Sequence, residues 1–156
     1  MTLVDVREIA STAQQVVASF ERDHADLLAD VEVHHIGATS LPFGCTKGDV
    51  DVNVRVGEAR FPLIVAAVGD RLATAQPDNW SATFASFSAD GYALPVGVQV
   101  TVIGSDDDFL LALRDRMRAD PSVLRRYNAV KQAAASEGRD AYWSAKDRLL
   151  RELLTE

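Results

Sequence analysis

The chain has 156 residues, 47% hydrophobic and 25% charged, which suits one soluble globular domain with a full core. Its apolar runs are too short to span a membrane, no basic-then-apolar leader opens it, and Cys45 is its only cysteine. These features exclude membrane spans, intramolecular disulfides and cysteine-rich zinc sites, and the expected location is cytoplasmic.

Residues 3 to 29 carry Val6, Ile9, Ala13, Val16, Val17, Phe20, Leu27 and Leu28 at helical spacing, which predicts one long amphipathic helix bent near Asp23. Val31 to Ile36 is a β-branched run and predicts a strand. Gly37 to Gly48 is rich in Gly, Thr, Ser and Pro and reads as a loop or short helical turn. Asp49 to Val56 alternates strictly. Val50, Val52, Val54 and Val56 share one face and Asp49, Asp51, Asn53 and Arg55 the other, the pattern of a half-buried strand.

Glu58 to Thr74 predicts a second helix, with Pro62 in its first turn. Two strands follow, Ala82 to Ala89 and Val96 to Ile103, joined through Asp90-Gly91. Ser105 or Asp106 is expected to cap a helix reaching Ala119, its N-terminus favoured by the acidic run Asp106 to Asp108. Asp120-Pro121 breaks that helix and begins the next, which Gly138 ends. Asp140 is then expected to cap a last helix with an apolar side of Leu149, Leu150, Leu153 and Leu154. With no repeat or flexible linker, the order predicts a single α+β domain over 1–156: a small mixed sheet, helices packed on one face and a helical C-terminal portion.

A net charge of −7 argues against nucleic-acid backbone as the main partner. Ten of the sixteen basic residues nevertheless lie after residue 113. They suit either a phosphorylated ligand or solvated helix faces with ion pairs at helical spacing.

Chemistry concentrates between His35 and Val56. Asp49 and Asp51 stand two apart on a strand, so both carboxylates project from one face and repel each other unless a cation lies between them. Mg²⁺ takes one or two carboxylates plus water and phosphate oxygens. Upstream, Gly37 permits close backbone approach, and Thr39 and Ser40 bring hydroxyls suited to phosphate oxygens. Lys47 adds a cation beside the first aspartate. The plainer reading of the pair is an acidic strand face. His34 and His35 point to opposite faces and form no metal pair. Cys45 reads as a small loop or core residue, and Trp80, Tyr92, Tyr142 and Trp143 as packing residues.

The segment Ile36-Gly37-Ala38, a ten-residue gap from Thr39 to Gly48, then Asp49-Val50-Asp51-Val52 resembles the motif of the nucleotidyltransferase superfamily, with Ala38 where Ser or Gly is usual. The chain more narrowly resembles the GrpB family. His35-Ile36-Gly37-Ala38-Thr39-Ser40-Leu41-Pro42 is similar to that family's glycine loop. Gly104-Ser105, Leu113-Arg114-Asp115, Met117-Arg118, Asp120-Pro121, Tyr127, Lys131, Tyr142 and Lys146 follow at its spacing. The resemblance implies a nucleotidyltransferase-like fold in which the glycine loop holds a nucleoside triphosphate and Asp49 and Asp51 hold Mg²⁺ as the catalytic pair. It also implies that His35 orients the loop and that Arg114, Lys131 and Lys146 reach the triphosphate. Two departures stand out. The commonest family sequence has Ile where this chain has Asp49, and active superfamily members carry a third carboxylate where strand Val98 to Val102 offers only Gln99 and Thr101.

These readings lead to a Mg²⁺-dependent nucleotidyltransferase or nucleotide-binding enzyme acting on an acceptor that the sequence does not name. The competing expectations are a non-catalytic nucleotide- or phosphometabolite-binding module and a structural partner domain. Because GrpB domains also occur fused to dephospho-CoA kinase, the resemblance adds a coenzyme A-related or accessory role.

Overall fold

A computed structural model describes residues 1–156. A two-residue strand, β1 (Val4–Asp5), leads into α1 (Val6–Asp23), whose N-cap is Asp5, its carboxylate accepting from the Arg7 amide at 2.9 Å. Val6, Ala13, Val16 and Phe20 form its buried stripe. The helix is not continuous to residue 29. It stops at His24, and the chain passes through turns into β2 (Glu32–Ile36).

A 3-10 turn (Ala38–Ser40) and the short β3 (Cys45–Thr46) occupy the loop before β4 (Val50–Val56). The second helix, α2 (Phe61–Gly69), is shorter than expected because the chain turns at Asp70 to form β5 (Ala73–Thr74). After a 3-10 turn (Pro77–Asn79) come β6 (Phe84–Ala89) and β7 (Val96–Val102). Three helices finish the chain: α3 (Leu110–Ala119), α4 (Pro121–Ala135) and α5 (Arg139–Thr155).

Three cap expectations meet different outcomes. Asp120 caps α4, accepting from the amides of Ser122 and Val123. Neither Ser105 nor Asp106 caps α3, which begins only after Phe109. Residues of the acidic run are drawn to other partners: Asp108 pairs with Arg55 at 2.7 Å, and Asp107 accepts from Thr83 at 2.5 Å. Asp140 lies in the first turn of α5 behind Gly138, which occupies the cap position.

The main sheet runs β2-β4-β7-β6-β5, with β1 and β3 forming a separate pair. β4 and β7 are parallel, and the other neighbours in the main sheet are antiparallel. The parallel pair aligns Val50, Val52, Val54 and Val56 with Val96, Val98, Val100 and Val102. All eight are at most 5% exposed. Each buried valine contributes on the order of 1.5 kcal/mol or more, so this ladder, with α1 and α2 packed on it, is the main core.

The opposite face of β4 is not simply solvated, since Asn53 is fully buried beside Thr101, to whose hydroxyl it donates at 3.1 Å. The C-terminal helices build a second core around Leu113, Leu124, Tyr127 and Leu149 that also takes in Leu41 from the loop. No helix is long and apolar enough to cross a membrane.

Asn128 on α4 ties this second core to the loop. Its Oδ1 accepts from the Cys45 amide at 3.1 Å. A Cβ on Gly44, whose φ is +122°, would lie 2.2 Å from the Asn128 amide group. Gly44→Ala is therefore expected to lower stability by about 3 kcal/mol. Gly48→Ala, with open space around its Cβ, should cost only about 1 kcal/mol; urea unfolding of both variants checks the contrast.

Candidate functional site

β2 ends with Ile36 opposite Asp51 of β4. The chain leaves β2 through Gly37 at φ 73°, ψ −175°, a conformation that glycine takes without strain. A Cβ there would lie 2.4 Å from Asp51 Oδ2. On the other flank β7 places Gly97 opposite Asp51, where a Cβ would lie 2.9 Å from Oδ1. The Asp51 carboxylate thus sits in a slot walled by two glycine backbones. Gln99 donates its Nε2 to Oδ1 across a long 3.5 Å.

Asp49 lies just before β4 and pairs with Lys47 at 3.0 Å. Burial, and then the neighbouring charge of Asp49, push Asp51 up to about 6, against the pull of Lys146 and Lys47. Asp49 and Asp51 are the two carboxylates here that could hold a cation, the donor type that Mg²⁺ takes together with water and phosphate oxygens. No group of three His, Cys, Asp or Glu side chains is arranged to hold a metal ion. On β7, Thr101 is fully buried and engaged by Asn53, while Gln99 lines the cleft.

The glycine loop uses its hydroxyls internally. Thr39 donates to the Asp49 carbonyl at 3.2 Å, so its oxygen accepts from His35 Nε2, 2.9 Å away. That assigns the Nε2–H tautomer to His35. Ser40 donates to the Gly37 carbonyl at 2.6 Å. Neither hydroxyl faces the cleft, contrary to the expected phosphate contacts, because a turn this tight satisfies its own carbonyls first.

α3 braces the same loop: Arg118 donates to the Ser40 carbonyl at 3.0 and 2.8 Å, and Arg114 to the His35 carbonyl at 3.0 Å. Burial, reinforced by Arg118 and Arg114, pushes His35 down to about 4. Arg118 was visible in the sequence only as part of a pattern. Its task is legible only once α3 lies beside β2.

A cleft of about 490 Å³ opens beside Asp51. Its charged lining residues are Lys47, Asp49, Asp51, Arg114, Lys146 and Asp147. Trp143 stands between two of them, with Lys47 Nζ 4.4 Å and Lys146 Nζ 4.9 Å from a ring centroid. Trp143 therefore belongs to the cleft wall as well as to the packing, and Tyr142, although only 2% exposed, also lines the cleft.

Arg114 reaches the cleft, but its guanidinium is also engaged by Asp115 at 2.7 Å. Lys131 does not line the cleft. It is 1% exposed, donates to the Cys45 carbonyl at 2.5 Å and lies 4.5 Å from the Tyr127 ring centroid. Burial pushes it down to about 8. The rotation of α4 turns this ammonium toward β3 instead of toward a triphosphate.

The architecture is thus that of a mixed α+β domain whose central parallel strand pair carries a glycine-flanked carboxylate at the edge of a cleft. The family model described as GrpB protein matches residues 7–156, and the chain belongs to the GrpB family. It is similar to a UPF0157 protein of Vibrio cholerae serotype O1, at 24% identity over 147 residues covering 94% of this chain and 78% of that protein. The fold is that of a crystal structure of the conserved protein GrpB from Enterococcus faecalis, with a TM-score of 0.70 and 16% identity. That match covers 98% of this chain and 99% of the other.

His35 supplies a pH test of the loop. Its pKa is depressed in the folded chain, so below its ordinary 6.5 the unfolded chain takes up a proton that the folded chain refuses. The His35 contribution to stability should fall as pH drops from 6.5 toward 4, by about 1 kcal/mol at pH 5 after allowing for partial solvent screening. Urea unfolding at pH 7 and pH 5 should show the wild type losing about 1 kcal/mol relative to His35→Gln, a difference in which the contributions of other groups cancel.

Proposed function

We propose that this protein binds a magnesium–nucleoside triphosphate in the cleft beside Asp51 and transfers its nucleotidyl group to an acceptor hydroxyl. The observation that carries this reading is the Asp51 slot. Two glycines clear the space for one carboxylate, and a second carboxylate, Asp49, stands two residues away. A sheet gains nothing in stability from such an arrangement, whereas a cation-binding site requires it.

In this reading Asp49 and Asp51 hold the ion. Lys146, whose charge reaches Asp51, and Lys47 meet the phosphate oxygens at the cationic end of the cleft. Trp143 offers an aromatic face between those two lysines. Gly37, Thr39, Ser40, His35, Arg114 and Arg118 keep the loop in the shape that leaves Asp51 its slot. A bound Mg²⁺ supplies Lewis-acid stabilisation of charge on the phosphoryl group under attack.

A second reading is favoured by Gln99, which stands where the superfamily resemblance implies a third carboxylate. An amide holds Mg²⁺ more weakly than a carboxylate does, and a site with one ion suits binding better than transfer. In that case the protein is a nucleotide- or phosphometabolite-binding module.

Calorimetric titration with ATP, GTP, CTP and UTP, each with and without Mg²⁺, tests the shared premise. At least one nucleotide should bind with a Kd below about 1 mM, a binding free energy of about −4 kcal/mol, and only when Mg²⁺ is present. Asp51→Asn should weaken that binding at least tenfold. The same variant should melt no lower than wild type, since folded Asp51 keeps a proton up to about pH 6 that the unfolded chain loses from 3.8 upward. Stability is therefore lost as pH rises through that window, and the amide restores about 1 to 2 kcal/mol at pH 7.5 without metal. Absence of any metal-dependent binding, with Asp51→Asn indistinguishable from wild type, overturns both readings. Pyrophosphate release on adding an acceptor separates transfer from simple binding.

A further inference from the structure

The cleft is chemically divided. Its charged lining residues all come from the segment before β4, from β4 itself, and from α3 and α5. The lining residues contributed between β5 and β7 carry no charge. The polar ones are Gln76, Asn79, Ser86, Ser88 and Gln99, and Phe84 stands among them.

Sheet register fixes how the two halves meet. Asp51 lies opposite Gly97, which lies opposite Ser88, and the next row on the same face is Asn53, Gln99 and Ser86. Neighbouring strands are about 4.8 Å apart, so Ser88 stands about 10 Å from Asp51 across the sheet. Between them Gly97 contributes no side chain, and the Asp51 carboxylate and the Gln99 amide lie against it.

Two features point to a ligand on this neutral wall. Gln99 Oε1 is buried and has no hydrogen-bond donor within the protein, which is rare unless something else supplies one. Gln76 is the sole non-glycine residue with positive φ, at 44°, and strain of this kind gathers at binding sites. Its Oε1 accepts from Asn79 at 3.3 Å, and Ser86 donates to the Ala75 carbonyl at 2.7 Å, which holds the rim in place.

We propose that this wall is a subsite for a small, uncharged, hydroxyl-rich molecule of sugar or polyol type. Amides and hydroxyls around an aromatic ring match such a ligand, and a wall without cations does not match a second phosphorylated one. A cleft of about 490 Å³ suits a small molecule in preference to a polymer chain. The assignment of this ligand as the acceptor rests on the magnesium–nucleotide reading of the charged half. In that transfer one ligand hydroxyl oxygen forms a bond to the α-phosphorus. The bond from that phosphorus to the pyrophosphate oxygen breaks, its electron pair leaves with pyrophosphate, and the hydroxyl proton goes to solvent. Gln99, which lines the cleft, turns its unpaired Oε1 outward to accept a hydrogen bond from the same ligand and orients it.

The test uses the full chain labelled with ¹⁵N, following side-chain amide signals of Gln76, Asn79 and Gln99 during titration with glucose, N-acetylglucosamine and myo-inositol. At least one of these should shift those signals saturably, and Gln99→Leu, checked for an intact melt, should weaken that binding at least tenfold. Ser88→Leu, which sets a bulky apolar side chain on the wall beside Gly97, should do the same. Mg-ATP added afterwards should bind without displacing the sugar. The proposal is overturned if none of the three probes shifts these signals at 50 mM (about fifty times the 1 mM reference affinity), if both variants bind as wild type does, or if Mg-ATP competes the sugar off. A failure of the nucleotide reading registers separately, as absence of Mg-ATP binding in a chain whose amide signals still answer to the sugar.

Discussion

Everything at the candidate site depends on the register in which β4 lies against β7. On one face that register stacks four valine pairs into the main core. On the other it sets Asp51 opposite Gly97, the one residue of β7 that leaves room for its carboxylate. A slip of one residue would turn the valines out of the core and bring a side chain against Asp51. The hydrophobic ladder therefore holds the register, and the register in turn holds the carboxylate. Core stability and site geometry are two faces of one strand pairing.

The second constraint is the loop between β2 and β4. Its tight path leaves several backbone groups in need of partners, and the C-terminal helices supply them. Arg114 and Arg118 from α3 meet the carbonyls of His35 and Ser40, and Asn128 and Lys131 from α4 meet the amide and carbonyl of Cys45. Buried backbone groups without partners are costly, so the helical portion is needed for the loop to exist in this form. Much of the basic C-terminal third is spent in this way, or in exposed inter-helix pairs such as Arg126 with Glu152 and Glu156, each contributing little. Lys47 and Lys146, standing over Trp143, are the lysines left to face the cleft.

The site also carries groups that folding alone would not select. Asp51 is desolvated and feels the charge of Asp49, and Asn53 Oδ1 and Gln99 Oε1 are buried without donors. These lie on adjacent rows of one sheet face, beside a cleft, and not scattered through the molecule. This clustering of uncompensated polar groups is the feature on which the proposed ligand site rests.

The sequence by itself determined the alternation of β4 and β7, the α+β order, the Asp49/Asp51 pair and the family, because strand periodicity and motif spacing are local properties. It overran α1 and α2, since apolar spacing continues past the points where the chain turns, and it placed caps at Asp106 and Asp140 where the helices begin elsewhere. Tertiary structure alone decided what each polar side chain faces. Thr39 and Ser40 turned inward to satisfy their own loop, Lys131 was claimed by a buried carbonyl, and Gly37 and Gly97, sixty residues apart in the chain, met across Asp51. The physical reason is that hydrogen bonds and steric clearance join residues remote in sequence, such as Gly37 and Gly97 about one carboxylate, and no local pattern encodes which remote partner arrives.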